Sequence, residues 1–413
     1  MKFENGILQI GGRSVVDLVA QYGSPLYVYD QEVMLAQLEQ IRQAVSYRPF
    51  QLRYACKANS NLTILRLFHQ CGLHLDVVSP GEVIVAERAG YTPDQLLYTG
   101  NSVTNEELEF VHQRGVLINL DSLSQLRRFG QRFPGTQASL RINPDVGAGH
   151  HQHVITGGPD SKFGIALDEL DEARALARQY HIRLIGLHQH IGSGILQPEI
   201  FWLAMTPILQ VASAFEELEF INLGGGFGIP YEPHERPLDM ARLGEGLSER
   251  FEAFCQAYGR PLRLDLEPGR FLVAPAGYLL VQVNTIKRTE KHTFVGTDSG
   301  FNHLIRHPLY KSYHRIINGT REHGPMKTVA VCGNLCESGD LFTHGRELVE
   351  PREGDILVIC DAGAYGYSMS FTYNMRPRPA EVLVDRGAAQ LIRRRETIDD
   401  LLMLMTDEAV SCR

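Results

Sequence analysis

Tyr54-Ala55-Cys56-Lys57-Ala58-Asn59 closes an apolar-leaning run that begins near Phe50, and turn residues (Asn59-Ser60-Asn61) follow it. The pattern carries a lysine to the end of a buried strand. An ammonium there must be paired, neutralised or covalently bound, because burying its charge is costly. Two readings stand side by side. One is a strand-end lysine whose stem lies on apolar surface while its amine reaches water. The other is a lysine whose lowered pKa lets it attack a carbonyl and form a Schiff base. The rest of the chain decides between them.

Working outward, apolar β-rich runs alternate with helical patterns from about residue 33 to 270. Strands are expected at 51–57, 74–79, 96–100, 117–120, 139–143, 183–190, 219–224 and 263–267. Amphipathic segments at 61–71, 81–89 and 167–180 fall between them. Eight strands alternating with helices over this length match a (β/α)8 barrel, an α/β fold, and a doubly wound open sheet is the competitor. A barrel gathers its chemistry at the carboxyl ends of its strands. Lys57, Asp76 with Ser79, Arg141 with Asn143, His188 with His190, Gly224-Gly225-Gly226, and Glu267 with Arg270 all fall there.

Beyond residue 272 helical periodicity fades. Short β-like runs at 278–287, 293–297, 326–332, 355–361, 380–384 and 390–393 predict a C-terminal all-β domain, sandwich- or barrel-like. The β-like segments 6–15 and 25–29 are expected to pair into it. The domains are thus 33–272, the barrel, and 1–32 with 273–413, the β domain. Segment 147–160, rich in glycine and histidine, is a candidate lid.

Composition bounds the partners. The 413 residues are 44% hydrophobic and 21% charged, with a formal net charge of −8. The one tight basic cluster, Arg393-Arg394-Arg395, is followed by Glu396, Asp399 and Asp400, so no nucleic-acid footprint is expected. No long apolar run predicts a membrane span, and residues 1–8 do not read as a signal peptide. The seven cysteines form no Cys-x-x-Cys pair. Cys332, Cys336 and His344 lack a further closely spaced pair, so no metal is expected. Free thiols fit a reducing compartment, the cytoplasm.

Each remaining motif has a plain and a chemical reading. Asn222-Leu223-Gly224-Gly225-Gly226-Phe227-Gly228 is a tight strand-to-helix turn or a phosphate cradle. His190-Ile191-Gly192-Ser193-Gly194 holds a satisfied core histidine, or a ring that lies on an aromatic cofactor beside a phosphate-binding serine. Glu267-Pro268-Gly269-Arg270 is a local ion pair, or a carboxylate for a protonated ring nitrogen with a guanidinium for an anion. Cys336-Glu337-Ser338-Gly339-Asp340 and Asp361-Ala362-Gly363-Ala364-Tyr365-Gly366 are turns, or the β domain's contribution to a site. Arg306 and Tyr310 are a surface loop pair or a carboxylate clamp. An imine-forming lysine, a glycine cradle and a ring-nitrogen carboxylate together point to pyridoxal 5′-phosphate.

These motifs, with Arg376-Pro377-Arg378-Pro379-Ala380-Glu381-Val382 and Ile392-Arg393-Arg394-Arg395-Glu396-Thr397, run nearly end to end. As a set they resemble the bacterial diaminopimelate decarboxylases, fold type III pyridoxal-phosphate enzymes with an alanine-racemase-like fold. Thr156-Gly157-Gly158-Pro159-Asp160-Ser161-Lys162-Phe163-Gly164 is similar to the enteric-type branch. The resemblance implies catalytic roles for Lys57, which carries the cofactor as an imine, and Cys336, the acid that reprotonates the carbanion. It implies that His190 stacks on the ring, Glu267 meets the ring nitrogen, and Ser193, Gly225, Gly226 and Tyr365 bind phosphate. Asp76, Glu82 and Arg141 would surround the lysine. Arg270, Arg306, Tyr310, Glu337 and Tyr365 would hold the substrate.

The implied reaction is decarboxylation of meso-2,6-diaminopimelate to L-lysine and carbon dioxide, the last step of lysine biosynthesis. The implied assembly is a homodimer with shared active sites, in which Cys336 and Glu337 serve the partner and Lys162 pairs with Asp340 across subunits. Asn334, Lys311 and Met375 stand where the family commonly has proline, glycine and serine, which bears on loop shape and fine specificity. Rival readings are a decarboxylase of ornithine, lysine or arginine, an amino-acid racemase, and a non-catalytic pyridoxal-phosphate carrier.

Overall fold

A computed structural model of the chain describes residues 1–146, 158 and 161–406. It divides into two units, Met34–Pro275 and Met1–Val33 with Ala276–Arg413. Apart from Gly158, the candidate lid at 147–160 lies outside the described residues.

In the first unit the strands Phe50–Ala55, His74–Val77, Leu96–Tyr98, Leu117–Leu120, Gln137–Arg141, Arg183–His188, Phe220–Asn222 and Arg263–Leu266 close into a parallel barrel in chain order. The seam joins the last strand to the first, with Leu264 opposite Phe50 and Leu266 opposite Leu52. All eight expected strands are present, and closure of the seam excludes the open sheet.

Several strands stop earlier than the apolar runs suggest. Phe50–Ala55 ends two residues before Lys57, which lies in a 3-10 turn over Cys56–Ala58. The chain after the eighth strand packs against that turn. The Ala55 N–H donates to the Pro268 carbonyl at 3.2 Å. A Cβ on Gly269 would come within 3.0 Å of the Ala55 Cβ and 3.1 Å of the Ala58 Cβ. Glycine is thus what lets the Glu267–Arg270 segment lie beside the lysine turn.

The covering helices follow from their caps and stripes. Leu62–Gln70 buries Ile64, Leu65 and Phe68, and the Asn61 side chain accepts from the Thr63 N–H at 2.9 Å. Pro80–Ala89 starts with proline in its first turn and ends at Gly90, with φ of 104°. The Ser79 hydroxyl accepts from the Glu82 N–H at 3.2 Å, so Ser79 is a helix cap, a role worth about 1 kcal/mol. Arg53 and Asp265 straddle the seam. Arg53 Nε donates to Asp265 Oδ2 at 2.8 Å with both side chains buried, and Arg263 Nε donates to Oδ1 at 2.6 Å.

The second unit is built on a nine-stranded sheet. Its main order is Leu341–Val349, Met326–Cys332, Thr293–Thr297, Gly277–Arg288, Leu26–Asp30, Ala380–Asp385 and Ala388–Arg393. Ile316–Asn318 pairs with Ile356–Ile359, which pairs with Gly277–Arg288. Alternate residues line one face. Leu26 with Val28, Tyr278 with Leu280, Ile356 with Val358, and Ala380 with Val382 and Val384 form a core together with Val15 and Leu18.

Segments 25–29 and 6–15 both fall in this unit as expected, the first within the nine-stranded sheet and the second outside it. Lys2–Glu4, Ile7–Ile10 and Arg13–Ser14 form their own three-stranded sheet, tied to the unit by the Leu8 N–H donating to the Gly319 carbonyl at 2.8 Å. A helix, Val15–Tyr22, follows at once because the Ser14 hydroxyl caps it. Among the described residues no helix is long and apolar enough to cross a membrane. Six described cysteines carry free thiols, and Cys412 lies outside the described residues.

Candidate active site

The carboxyl rim of the barrel collects several buried charged groups of the first unit. Lys57 Nζ lies 2.9 Å from Asp76 Oδ2, with the lysine partly exposed and the aspartate fully buried. The other Asp76 oxygen accepts from the Thr99 hydroxyl. Glu82, which caps Val78 N–H at 2.8 Å, is pushed up to about 7. Burial is the main cause and Asp76 adds to it, while the Val78 hydrogen bond and Lys57 oppose. Arg141 is buried 3.6 Å from Asp121 Oδ1, and its guanidinium lies 4.4 Å from the Phe163 ring centroid. Asp121 also accepts from Asn101 and from the Gly164 N–H, at 3.1 Å for the latter.

His190 stands beyond the sixth strand and accepts through Nδ1 from the Gly225 N–H at 3.1 Å. Burial, then Lys57 and Arg141, hold its pKa well below the ordinary value, so the ring is neutral and one face can lie on another ring. The glycine turn leaves no room for side chains. Gly224 adopts φ of 72°, and a Cβ on Gly225 would meet the Glu267 carbonyl at 2.2 Å.

Glu267 follows the eighth strand. Its Oε2 is 3.0 Å from His188 Nε2, and its Oε1 accepts from Asn222 Nδ2 at 2.7 Å. Burial raises this carboxyl, but His188, Lys57 and the Asn222 hydrogen bond outweigh burial and hold it below the usual range. Arg270, also buried, donates through Nε and Nη2 to the Ser193 hydroxyl at 3.1 and 2.9 Å. Its Nη1 donates to the Tyr231 hydroxyl at 2.9 Å. The rim therefore brings Lys57, Asp76, Arg141, His190, Ser193, Gly225, Gly226, Glu267 and Arg270 into one unit.

The remaining residues belong to the second unit. Arg306 begins the helix Arg306–Tyr310 and is fully buried. Its Nη2 donates to Ser312 Oγ at 3.2 Å and its Nη1 lies 3.3 Å from His314 Nε2. His314 Nδ1 is 2.8 Å from the Cys360 carbonyl, which makes Nδ1 the donor and Nε2 the acceptor for Arg306. Asp361 and Tyr365 both have positive φ, 57° and 56°. Burial pushes Asp361 up to about 6, against Arg315 and Arg306.

Cys336 is exposed, and its N–H donates to Asn374 Oδ1 at 2.8 Å. Glu337 is exposed beside it. Asp340 fixes the loop by accepting from the Phe301 N–H at 2.7 Å and the Leu335 N–H at 2.8 Å. Lys311 caps its helix with φ of 54°, the conformation that glycine adopts most freely.

Sequence reasoning missed Thr99, Asp121, Asn222 and Tyr231, and gave His188 no role. Thr99 and Asp121 each stand one residue past a barrel strand, and Asn222 ends one. Applying the strand-end rule to every strand finds these three.

A family model described as pyridoxal-dependent decarboxylase, pyridoxal binding domain, matches residues 32–274. The chain is 47% identical to the diaminopimelate decarboxylase of Methanothermobacter thermautotrophicus, over 97% of this chain and 95% of that one. It is 39% identical to the diaminopimelate decarboxylase of Escherichia coli K12, over 95% and 96%. The crystal structure of a diaminopimelate decarboxylase from M. jannaschii, in complex with L-lysine, matches with a TM-score of 0.90 at 32% identity and covers 98% of both chains. The glycine turn, the rim lysine and the buried Glu267 thus sit in a chain that belongs to the pyridoxal-dependent decarboxylases and, among them, to the diaminopimelate decarboxylase family.

Proposed function

We propose that this chain uses Lys57 and the barrel rim to remove the carboxylate at the D-centre of meso-2,6-diaminopimelate, releasing L-lysine and carbon dioxide. The observation that carries the reading is the shared rim of the Lys57 amine, the glycine turn and the Glu267 carboxylate. The residues fit pyridoxal 5′-phosphate. A turn closed to any Cβ suits close backbone approach to a phosphate, and an acceptor-only carboxylate held as an anion suits a protonated ring nitrogen. When bound, that cofactor supplies an electron sink for the pair left behind as carbon dioxide departs.

The chain's own groups then divide the work. Lys57 attaches the cofactor, and Asp76 holds the amine in place beforehand. His190, uncharged, covers the ring, while Arg141 holds Asp121 at the same rim. Ser193, Gly225, Gly226 and Tyr365 take the phosphate, with Arg270 orienting the Ser193 hydroxyl. Cys336 gives a proton to the carbon that lost its carboxylate. Arg306, Arg270 and Tyr310 hold the distal carboxylate and Glu337 the distal ammonium. Ornithine, lysine and arginine lack that carboxylate, so buried guanidiniums oppose them.

Residues 33–272 act as the cofactor barrel, and 1–32 with 273–413 as the β domain. The working form is a homodimer in which Cys336 and Glu337 serve the partner's site. Exposed Tyr373 and Met375 flank Asn374, the residue that holds the Cys336 backbone, and offer an apolar surface for that contact. Free thiols suit the cytoplasm. The test is carbon dioxide release from a panel of diaminopimelate, lysine, ornithine and arginine, repeated with Arg306→Ala. Release from diaminopimelate alone, lost in the variant, supports the reading, and equal release from ornithine overturns it.

A further inference from the structure

Three adjacent barrel strands deliver one hydrogen-bonded line of side chains at the rim. His188 ends the sixth strand and is paired in register with Asn222, the last residue of the seventh. Asn222 is in turn in register with Asp265 on the eighth, two residues before Glu267. The side chains of His188, Asn222, Asp265 and Glu267 are all buried. Both carboxylate oxygens of Glu267 are engaged, Oε2 by His188 at 3.0 Å and Oε1 by Asn222 at 2.7 Å.

The proton on His188 can be placed. A carboxylate held as an anion only accepts, so Nε2 is the donor. Among the described residues Nδ1 is buried with no hydrogen-bond partner, and a second N–H there would be an unsatisfied donor. His188 therefore points its Nε2 hydrogen at Glu267. Asn222 is fixed in the same way. Its Nδ2 donates to Glu267 and its Oδ1 accepts from the Gly224 N–H at 2.8 Å. One amide thus ties Glu267 to the glycine turn.

We propose that His188 and Asn222 are positioning residues for Glu267, each filling one lone pair so that the carboxylate turns its remaining acceptor capacity toward the ring nitrogen of the cofactor. An ionised carboxylate offers about four lone-pair sites, and the two donors occupy only one on each oxygen. The proposal rests on the reading of Glu267 as the ring-nitrogen partner, and its test separates the two.

The full-length protein is stripped of cofactor and titrated by absorbance with pyridoxal 5′-phosphate and with its 1-deaza analogue, in which a carbon replaces the ring nitrogen. His188→Leu is expected to weaken binding of pyridoxal 5′-phosphate about tenfold, the loss of one hydrogen bond to a charged group, and to change binding of the analogue less than about twofold. His188→Gln, whose amide can donate from nearly the Nε2 position, restores most of that affinity. Equal loss for both cofactors, or no loss for either, overturns the proposal. If Glu267→Gln fails to distinguish the two cofactors, the assignment of Glu267 itself is wrong. Should His188→Leu not fold, His188→Asn, which is polar but too short to reach Glu267, makes the same comparison.

Discussion

Lys57 Nζ and Asp76 Oδ2 are 2.9 Å apart, and only the lysine of the pair reaches solvent. The aspartate is held from its far side by Thr99, so it cannot follow the lysine outward. The amine is thereby pinned at the rim instead of sweeping through water.

Replacing the lysine separates attachment from architecture. Lys57→Ala should abolish both turnover and the long-wavelength absorbance of lysine-linked cofactor, with the barrel still folded by circular dichroism. Full activity in this variant would overturn the site. Asp76→Ala should leave the lysine in place and slow the attachment step. It also strands the Thr99 hydroxyl, at a cost of about 1–3 kcal/mol that thermal unfolding would register.

Glu82 makes stability depend on pH in an unusual direction for a carboxylate. It titrates at about 7 in the fold against 4.5 for the free group. Between those values the folded chain keeps a proton that the unfolded chain has released, so stability falls as pH rises across the window. Glu82→Gln stays neutral throughout. Relative to the parent it should gain up to about 3 kcal/mol near pH 8 and nothing near pH 4. Denaturant melts at the two pH values check this, and a gain at the acid end would refute it.

The glycine turn has no slack at Gly225. A methyl group there would stand 2.2 Å from a backbone carbonyl that is itself fixed by the turn after the eighth strand. Gly225→Ala should cost about 1–3 kcal/mol and weaken retention of the cofactor on dialysis. Parent-like retention would mean that the turn does not cradle the phosphate.

At the barrel seam, Asp265 serves two arginines. Asp265→Ala leaves Arg53 buried without its carboxylate and should destabilise the fold by about 3–5 kcal/mol. The surviving folded fraction should turn over normally, because the seam pair carries no chemistry. Measuring kcat per active site beside urea unfolding distinguishes the two effects.

Much of the barrel could be read from apolar runs bounded by turn residues, and Lys57, Glu267 and the glycines declared themselves as unusual residue types at strand ends. Asn222 and Thr99 did not, because a neutral polar residue closing a strand looks like any other strand residue. Their importance depends on which strands are neighbours, and only closure of the sheet settles that. Leu341–Val349 was invisible for a different reason. Its pairing with Met326–Cys332 shifts register twice, so burial along it loses the alternation that marks a strand.

The seam has a consequence for how the protein is made. Phe50–Ala55 finds its eighth-strand neighbour about two hundred residues downstream. At typical synthesis rates that neighbour emerges roughly ten to forty seconds later. Until then the lysine-bearing strand has an open edge, and Glu267 does not yet exist. A nascent chain cannot load its cofactor piecemeal. It needs cover for that edge during translation, and the Lys57 amine gains its full surroundings only when the final strand is in place.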